Sequence, residues 1–388
     1  MTEHTTSDTA YHRRLDDRLT TIATTSGATV RSVLRAARGA FPTVAYERLR
    51  HLGLADDLPE GDPASVDAAE AVRTPELHPL DFEWYFTDDS VAEIAAALRD
   101  AGNSVLCLGA PTVAAHLARR GVPVTLVDRN DLFETRFETD LDSLRFCQAD
   151  IHEPLPLEST FPVVFFDPPW YPEHTEAWLY RACQHVRPGA RLYFVLFPPL
   201  VRPAALAQRT DLLETARRVG RVSVDDDAIG YHTPAFERRV LQDSDAPVVA
   251  NWRHADLASV DVSEPGALAE PPTVSGGSEW DTFVTDGQVV KLRRTVTGGT
   301  TDVLAPIDGC DGYVLPSVSR RDARRQNVDL WTSRNRVATV GDRAVVAEGL
   351  RLLETGTDRS ALSAAEFSTA VPASRKETLV TELDAILE

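Results

Sequence analysis

Four consecutive apolar residues, Val163-Val164-Phe165-Phe166, run into Asp167-Pro168-Pro169-Trp170-Tyr171. An unbroken apolar run of this length is the pattern of a strand covered on both faces in a parallel sheet. Two prolines in a row cannot continue a hydrogen-bonded ladder, so the strand has to stop at Asp167. The sequence therefore sets a carboxylate, a stiff turn and a flat ring at the carboxyl end of a buried strand, where open α/β sheets bind ligands. Such a turn presents acceptors only. The Asp167 carboxylate takes one N–H of an amine, the carbonyl of Asp167 or Pro168 takes the second, and neither proline has an N–H to offer. The amine lone pair is left to attack an electrophile. Trp170 supplies a ring on which a planar substrate such as a base can stack, and Tyr171 follows it. A proline-stiffened turn with a capping Asp is the plainer reading. The aromatic directly after the prolines favours the functional one.

The surrounding chain alternates strand and helix patterns. Aromatic residues Phe82, Trp84, Tyr85 and Phe86 precede a helix expected over Ser90 to Arg99, capped by Asp88 or Asp89. Strands are expected at Ser104 to Leu108, Val124 to Val127, Arg145 to Gln148 and Arg191 to Phe197. Helices are expected at Val113 to Arg120, His174 to Val186 and Ala204 to Val219. Arg221 to Val224 and Phe236 to Gln242 read as a closing antiparallel pair. The fold class is α/β, with a doubly wound parallel sheet over residues 81–243. Residues 1–80 read as an N-terminal helical region with a linker, and 244–388 as a small α+β domain of unknown role.

Composition limits the partners. The net charge of −19 opposes non-specific nucleic-acid binding by the whole surface. Lysine occurs only at Lys291 and Lys376, so the acidity fits a high-salt or GC-rich source as well as it fits a partner. There is no apolar run of membrane-spanning length and no charged-then-apolar leader pattern. A soluble, cytoplasmic protein without a membrane or metal partner is expected. Cys107, Cys147, Cys183 and Cys310 are scattered singly, without metal or disulfide spacing.

Residues 1–9 read as disordered. Thr29 to Ala37, the turn Arg38-Gly39-Ala40 and a helix from Thr43 to Leu52 form a helix-turn-helix pattern, the possible core of a winged helix. Arg31, Arg35, Arg38, Arg48 and Arg50 give it a basic face. A helical cap packed on the next domain is the alternative, and is favoured slightly. In the last domain Arg320, Arg321, Arg324, Arg325, Arg334 and Arg336 gather around Trp331, a second place where an anion or nucleic acid could be met. Short β patterns lie at Thr282 to Phe283, Val289 to Arg293, Val303 to Ala305 and Tyr313 to Leu315, and helices near Arg343 to Leu353 and Ser363 to Leu387.

The turn after the first strand, Gly109-Ala110-Pro111-Thr112, is a poor glycine loop for a pyrophosphate. A nucleoside cofactor without phosphates needs less, and S-adenosyl-L-methionine fits. Gly109, Ala110 and Pro111 would line it. Asp128, nineteen residues after Gly109, would meet the ribose hydroxyls, and Asp150 the adenine.

Residues Asp81 to Gln242 resemble the N6-adenine-methyltransferase-like family. The matching stretches are Phe82-Glu83-Trp84-Tyr85, Gly109-Ala110-Pro111-Thr112-Val113, Asp167-Pro168-Pro169-Trp170, and His232 with Phe236-Glu237-Arg238. The resemblance implies a class I, Rossmann-like methyltransferase in which Asp167 to Trp170 hold the target amine and Gly109 and Asp128 bind the cofactor. Tyr171, Trp84, Tyr85 and His232 are the expected substrate-side residues. A weaker resemblance is to branched-chain polyamine synthases, which join a winged-helix domain to a class I fold with an Asp-Pro-Pro turn. Their acidic run after strand one is absent here. The expected function is methyl transfer to an amino nitrogen, with adenine N6 in nucleic acid placed above protein lysine. Aminopropyl transfer and a non-catalytic nucleoside sensor are the remaining alternatives.

Overall fold

The computed structural model describes residues 2–61, 75–81, 83–130, 132, 141–271, 279–296, 302–316, 322–368 and 370–387. It divides into two compact units. The first comprises Met1–Asp67, Trp84–Thr233 and Asp245–Gly276, the second Ala68–Glu83, Pro234–Ser244 and Gly277–Glu388. Phe82, Arg320 and Arg321 lie outside the described residues.

The first unit opens with three helices, α1 (Thr2–Ala23), α2 (Val30–Arg35) and α3 (Pro42–His51). The expected disorder of residues 1–9 gives way to helix from Thr2 on. Thr29 caps α2 in a reciprocal box with Ser32, and Pro42 takes the first turn of α3, where its missing N–H costs nothing. No strand follows among the described residues of this segment, so no wing is seen there. The turn between α2 and α3 packs on the sheet domain. Gly39 has φ +91°, and a Cβ there would come within 2.2 Å of the Pro198 side chain. Leu200 N donates to Arg38 O at 3.1 Å, and the Tyr11 hydroxyl donates to Leu200 O at 3.1 Å.

The sheet is built from β1 (Val105–Leu108), β2 (Val124–Asp128), β3 (Leu144–Gln148), β4 (Val163–Phe166), β5 (Arg191–Leu196), β6 (Gly220–Gly230) and β7 (His254–Val262), in the order β3-β2-β1-β4-β5-β7-β6. Neighbours among β1 to β5 are parallel, and β7 runs antiparallel to both β5 and β6. Every residue of β1 and β4 is fully buried, which is why both read as continuous apolar runs. Among the described residues, four helices belong with this sheet: α4 (Asp88–Ala101), α5 (Pro111–Ala118), α6 (Pro172–Gln184) and α7 (Ala205–Val219). Thr87, not Asp88 or Asp89, caps α4.

Two expectations need correcting. Phe236 to Gln242 is not a strand but lies in helix α8 (Ala235–Gln242), begun by Pro234. Its buried residues Phe236, Glu237, Val240 and Leu241 recur at helical spacing, a period that alternation-based reading passed over. The partner of β6 is instead β7, beyond the boundary expected at residue 244. Its alternation of buried and half-buried residues fits its place between two strands.

The second unit holds an antiparallel sheet of β8 (Trp280–Thr285), β9 (Gln288–Arg293), β10 (Leu304–Ala305), β11 (Leu330–Thr332) and β12 (Val337–Val340), ordered β10-β12-β11-β9-β8. Helices α8, α9 (Arg343–Glu354) and α10 (Ala373–Leu387) also belong to it. Tyr313 to Leu315 forms only isolated bridges through Val314, and the expected helix from Ser363 begins at Ala373. Residues 75–81 belong to this unit rather than to an interdomain linker. Glu76 accepts from Ser333 and Arg334, His78 Nε2 lies 2.8 Å from Trp331 O, and Asp81 pairs with Lys291.

Candidate active site

The sheet order reverses between β1 and β4, the place where open α/β sheets leave a crevice. Leu108 and Phe166 are paired in register, so Gly109 and Asp167 emerge side by side at the carboxyl ends of the two strands. Asp167 N reaches Leu108 O at 3.4 Å. Pro169 O accepts from Tyr171 N at 2.6 Å, and Trp170 O accepts from Arg202 at 2.6 Å. The carbonyls of Asp167 and Pro168 take no hydrogen bond among the described residues. Two carbonyls of the turn thus keep their acceptor capacity.

Asp167 has a partner that the sequence reading did not name. The Tyr231 hydroxyl donates to Asp167 Oδ1 at 2.8 Å. Tyr231 follows β6, and its position is set by the segment before α4. Thr87 N donates to Gly230 O, His232 N donates to Tyr85 O, and Phe86 and Tyr231 form an antiparallel bridge. Enclosure pushes the Asp167 carboxyl up to about 7, against the Tyr231 hydrogen bond and the Arg253 charge, which both favour its ionised form. The same enclosure, with the carboxylate beside it, drives the Tyr231 phenol well above its ordinary value.

Arg253 is the second unforeseen member. Its guanidinium lies between two indoles, with Cζ 4.2 Å from the Trp84 ring centroid and 3.9 Å from that of Trp170. Tyr231 meets Trp170 edge-on at 5.7 Å and Trp84 at 6.5 Å. Trp170 is buried, and one face of the ring expected to stack on a planar acceptor carries the guanidinium.

On the cofactor side, Gly109 adopts φ +63°, and a Cβ there would meet the Trp178 ring at 2.5 Å. The glycine is required by this close packing as well as by its backbone. Trp178 Nε1 is buried without a hydrogen-bond partner among the described residues. Asp128, at the end of β2, accepts from Asn130 N at 2.9 Å. Pro111 opens α5 with no side-chain cap on its first turn. A carboxylate beside a glycine turn, an uncapped helix start and an orphaned indole donor form a donor and acceptor set that fits an adenosyl group. Asp150 fits less well. Its Oδ1 accepts from His152 N at 3.0 Å and lies 2.9 Å from His152 Nδ1, which holds the carboxyl below its usual range. His152 Nε2 is in turn 2.7 Å from His174 Nδ1. The carboxylate expected at the adenine is thus engaged within its own loop.

The substrate-side residues separate in the same way. Trp84 reaches the Asp167 cluster through Arg253 and Tyr231. Tyr85 and His232 are buried and meet through the backbone bond already described. Neighbours in an extended segment point to opposite faces, and Tyr231, next to His232, is the one that meets Asp167. The Tyr171 ring lies 5.4 Å from the Arg202 guanidinium.

The basic face expected on α2 and α3 is largely turned inward. Arg31 bonds Val248 O, Gly61 O and Glu60, Arg35 bonds Ala250 O, and Arg48 bonds Asp16. Arg38 meets the fully buried Asp256, which Arg209 also contacts at 2.7 Å. Near Trp331, Arg324 pairs with Asp322 and Arg334 with Glu76, while Arg325 lies over the indole at 4.7 Å.

Seven strands in this order, with an antiparallel β7 between β5 and β6, make the first unit a class I methyltransferase fold. Residues 82–218 match the sequence model of the family described as Probable N6-adenine methyltransferase. Tyr231 and Arg253 lie beyond that segment. Among solved structures, a mutein of the branched-chain polyamine synthase of Thermus thermophilus, in complex with N4-aminopropylspermidine and 5'-methylthioadenosine, is 19% identical over 68% of this chain and 90% of its own, with a TM-score of 0.53. The synthase without those mutations, with the same two ligands, is 19% identical over 68% and 91%, with a TM-score of 0.50. An rRNA methylase from Streptococcus thermophilus is 11% identical over 45% of this chain and 95% of its own, with a TM-score of 0.29. No curated protein matches the chain. No helix among the described residues is long and apolar enough to cross a membrane.

Proposed function

We propose that this protein transfers a methyl group from S-adenosyl-L-methionine to an amino nitrogen, with adenine N6 in nucleic acid as the acceptor. The observation that carries this reading is the pairing of Leu108 with Phe166, which brings Gly109 and Asp167 out side by side at the switch point, inside the matched segment 82–218. The cofactor supplies an electrophilic methyl when bound. Asp128, the start of α5 and Trp178 Nε1 would hold its adenosyl part. Asp167 accepts one N–H of the acceptor amine and the free Asp167 or Pro168 carbonyl the other, which orients the lone pair and stabilises the charge that grows on nitrogen. Tyr231 holds the Asp167 carboxyl in place and favours its ionised form. An exocyclic amine on a base is nucleophilic without losing a proton first, whereas a lysine must arrive neutral. A base in a duplex would have to be flipped out to reach this turn. With most of the α2–α3 arginines spent on protein partners, the adenine reading rests on the site and not on a basic surface.

Transfer of an aminopropyl group is the second reading. It is favoured by the share of chain, 68%, over which the fold follows the polyamine synthase, well beyond residues 82–218. One experiment separates the two. The purified protein is incubated with S-adenosylmethionine or its decarboxylated form, together with RNA, DNA, a protein extract or spermidine, and the products are read by mass spectrometry. Methylated adenine supports the proposal. An aminopropylated amine formed only with the decarboxylated cofactor establishes the alternative.

A further inference from the structure

Arg253 stands at the ring that would receive the acceptor. Its carbonyl accepts from Tyr231 N at 3.0 Å, so its side chain starts from a fixed point beside the Asp167–Tyr231 pair. Two indole faces then hold the guanidinium, at 4.2 and 3.9 Å. A guanidinium stays charged at any physiological pH. That charge reaches the Asp167 carboxyl and favours its ionised form.

A fixed positive charge here bears on which amine can enter. An alkylammonium, as in a lysine side chain or a polyamine, would bring a second positive charge into an enclosed place. Like charges a few ångströms apart, screened only partly by protein, repel more strongly than they would in water. A base amine brings no charge, so the guanidinium does not oppose its entry. The net charge of −19 draws polycations toward the molecule as a whole, so the site itself has to supply any discrimination against them. We infer that Arg253 is a specificity-determining residue that excludes cationic amines from the Asp167 site and reserves it for neutral, planar ones. This rests on the amine-transfer reading of the same site.

The test is titration calorimetry of the full-length protein, saturated with S-adenosylhomocysteine, using spermidine as the probe. Arg253→Met keeps an apolar stem between the indoles and removes the charge, whereas Arg253→Lys keeps the charge. Arg253→Met is expected to bind spermidine at least about tenfold more tightly than wild type, and Arg253→Lys to stay within about threefold of it. Should Arg253→Met not fold, Arg253→Gln, which leaves a planar amide between the rings, gives the same comparison. Equal spermidine affinity in all the proteins, binding in none of them, or an equal gain in Arg253→Lys would overturn the inference. Wild-type binding of S-adenosylhomocysteine, read separately, tests the cofactor assignment. Its failure removes the methyltransferase reading, whereas the spermidine comparison concerns Arg253 alone.

Discussion

Tyr231 donates its hydroxyl to Asp167 Oδ1 at 2.8 Å, joining the turn after β4 to the end of β6. This bond favours the charged carboxylate in a site whose enclosure raises it to about 7. If turnover needs Asp167 ionised, activity rises as pH passes through about 7. Tyr231→Phe removes one of the two effects holding the group down, so the acid limb of kcat/KM is expected to move to higher pH by about one unit, the equivalent of one charge-assisted hydrogen bond. A limb that stays in place would mean that Tyr231 does not set the ionisation of Asp167.

The same elevation has a cost in stability. The unfolded chain ionises Asp167 near the usual carboxylate value, and the folded chain only near pH 7. Between these values the native state binds the extra proton, so stability falls as pH rises through the window and remains lowered above it. Asp167→Asn is therefore expected to raise stability at pH 8 by about 1–4 kcal/mol and to change it little below pH ~4. Denaturant unfolding at the two pH values reads the difference, and an equal effect at both would contradict the assignment.

Asp128 and Asp150 sit at the ends of neighbouring strands but are engaged differently. Asp128→Ala is expected to weaken cofactor binding by about 1–3 kcal/mol, the loss of a charged acceptor for hydroxyls. Asp150→Ala is expected to affect affinity less and to disturb His152, which its carboxylate meets through both backbone and ring. Titration calorimetry with S-adenosylmethionine compares the two. Equal losses would return Asp150 to the cofactor site.

Arg38 and Arg209 converge on Asp256, whose side chain is fully buried. Asp256→Ala leaves two guanidinium groups without their shared carboxylate, and a loss of about 3–5 kcal/mol is expected. Arg38→Ala is expected to lower stability as well, without changing the salt dependence of any RNA or DNA binding. A smaller salt slope with unchanged stability would assign Arg38 to a nucleic acid instead.

How much was legible in the sequence follows from the range of the interactions. β4 and its stop could be read because an apolar run and a proline pair are local signals, and Gly109 because a strand leads into it. Strands β1 to β5 follow from the same patterns. Tyr231 and Arg253 could not be read this way. Their roles depend on the pairing of residues 85–87 with 230–232 and on β7 lying between β5 and β6, contacts between segments far apart in the chain. The family resemblance singles out His232, while its neighbour Tyr231 carries the hydroxyl that meets Asp167. The basic face on α2 and α3 was a fair reading of composition, but only tertiary packing shows that Arg31, Arg35 and Arg38 face carbonyls and carboxylates of the same unit.

The most direct measurement of the central claim is methyl transfer by wild type and Asp167→Ala, with S-adenosylmethionine affinity measured on the same preparations. In the proposed reading Asp167 holds the amine, and Asp128 with the Gly109 turn holds the cofactor. Asp167→Ala is therefore expected to abolish formation of methylated amine and to leave cofactor affinity within about threefold of wild type, a difference of less than about 1 kcal/mol. Wild-type turnover in Asp167→Ala would contradict it and reduce the Asp-Pro-Pro-Trp turn to a structural strand end.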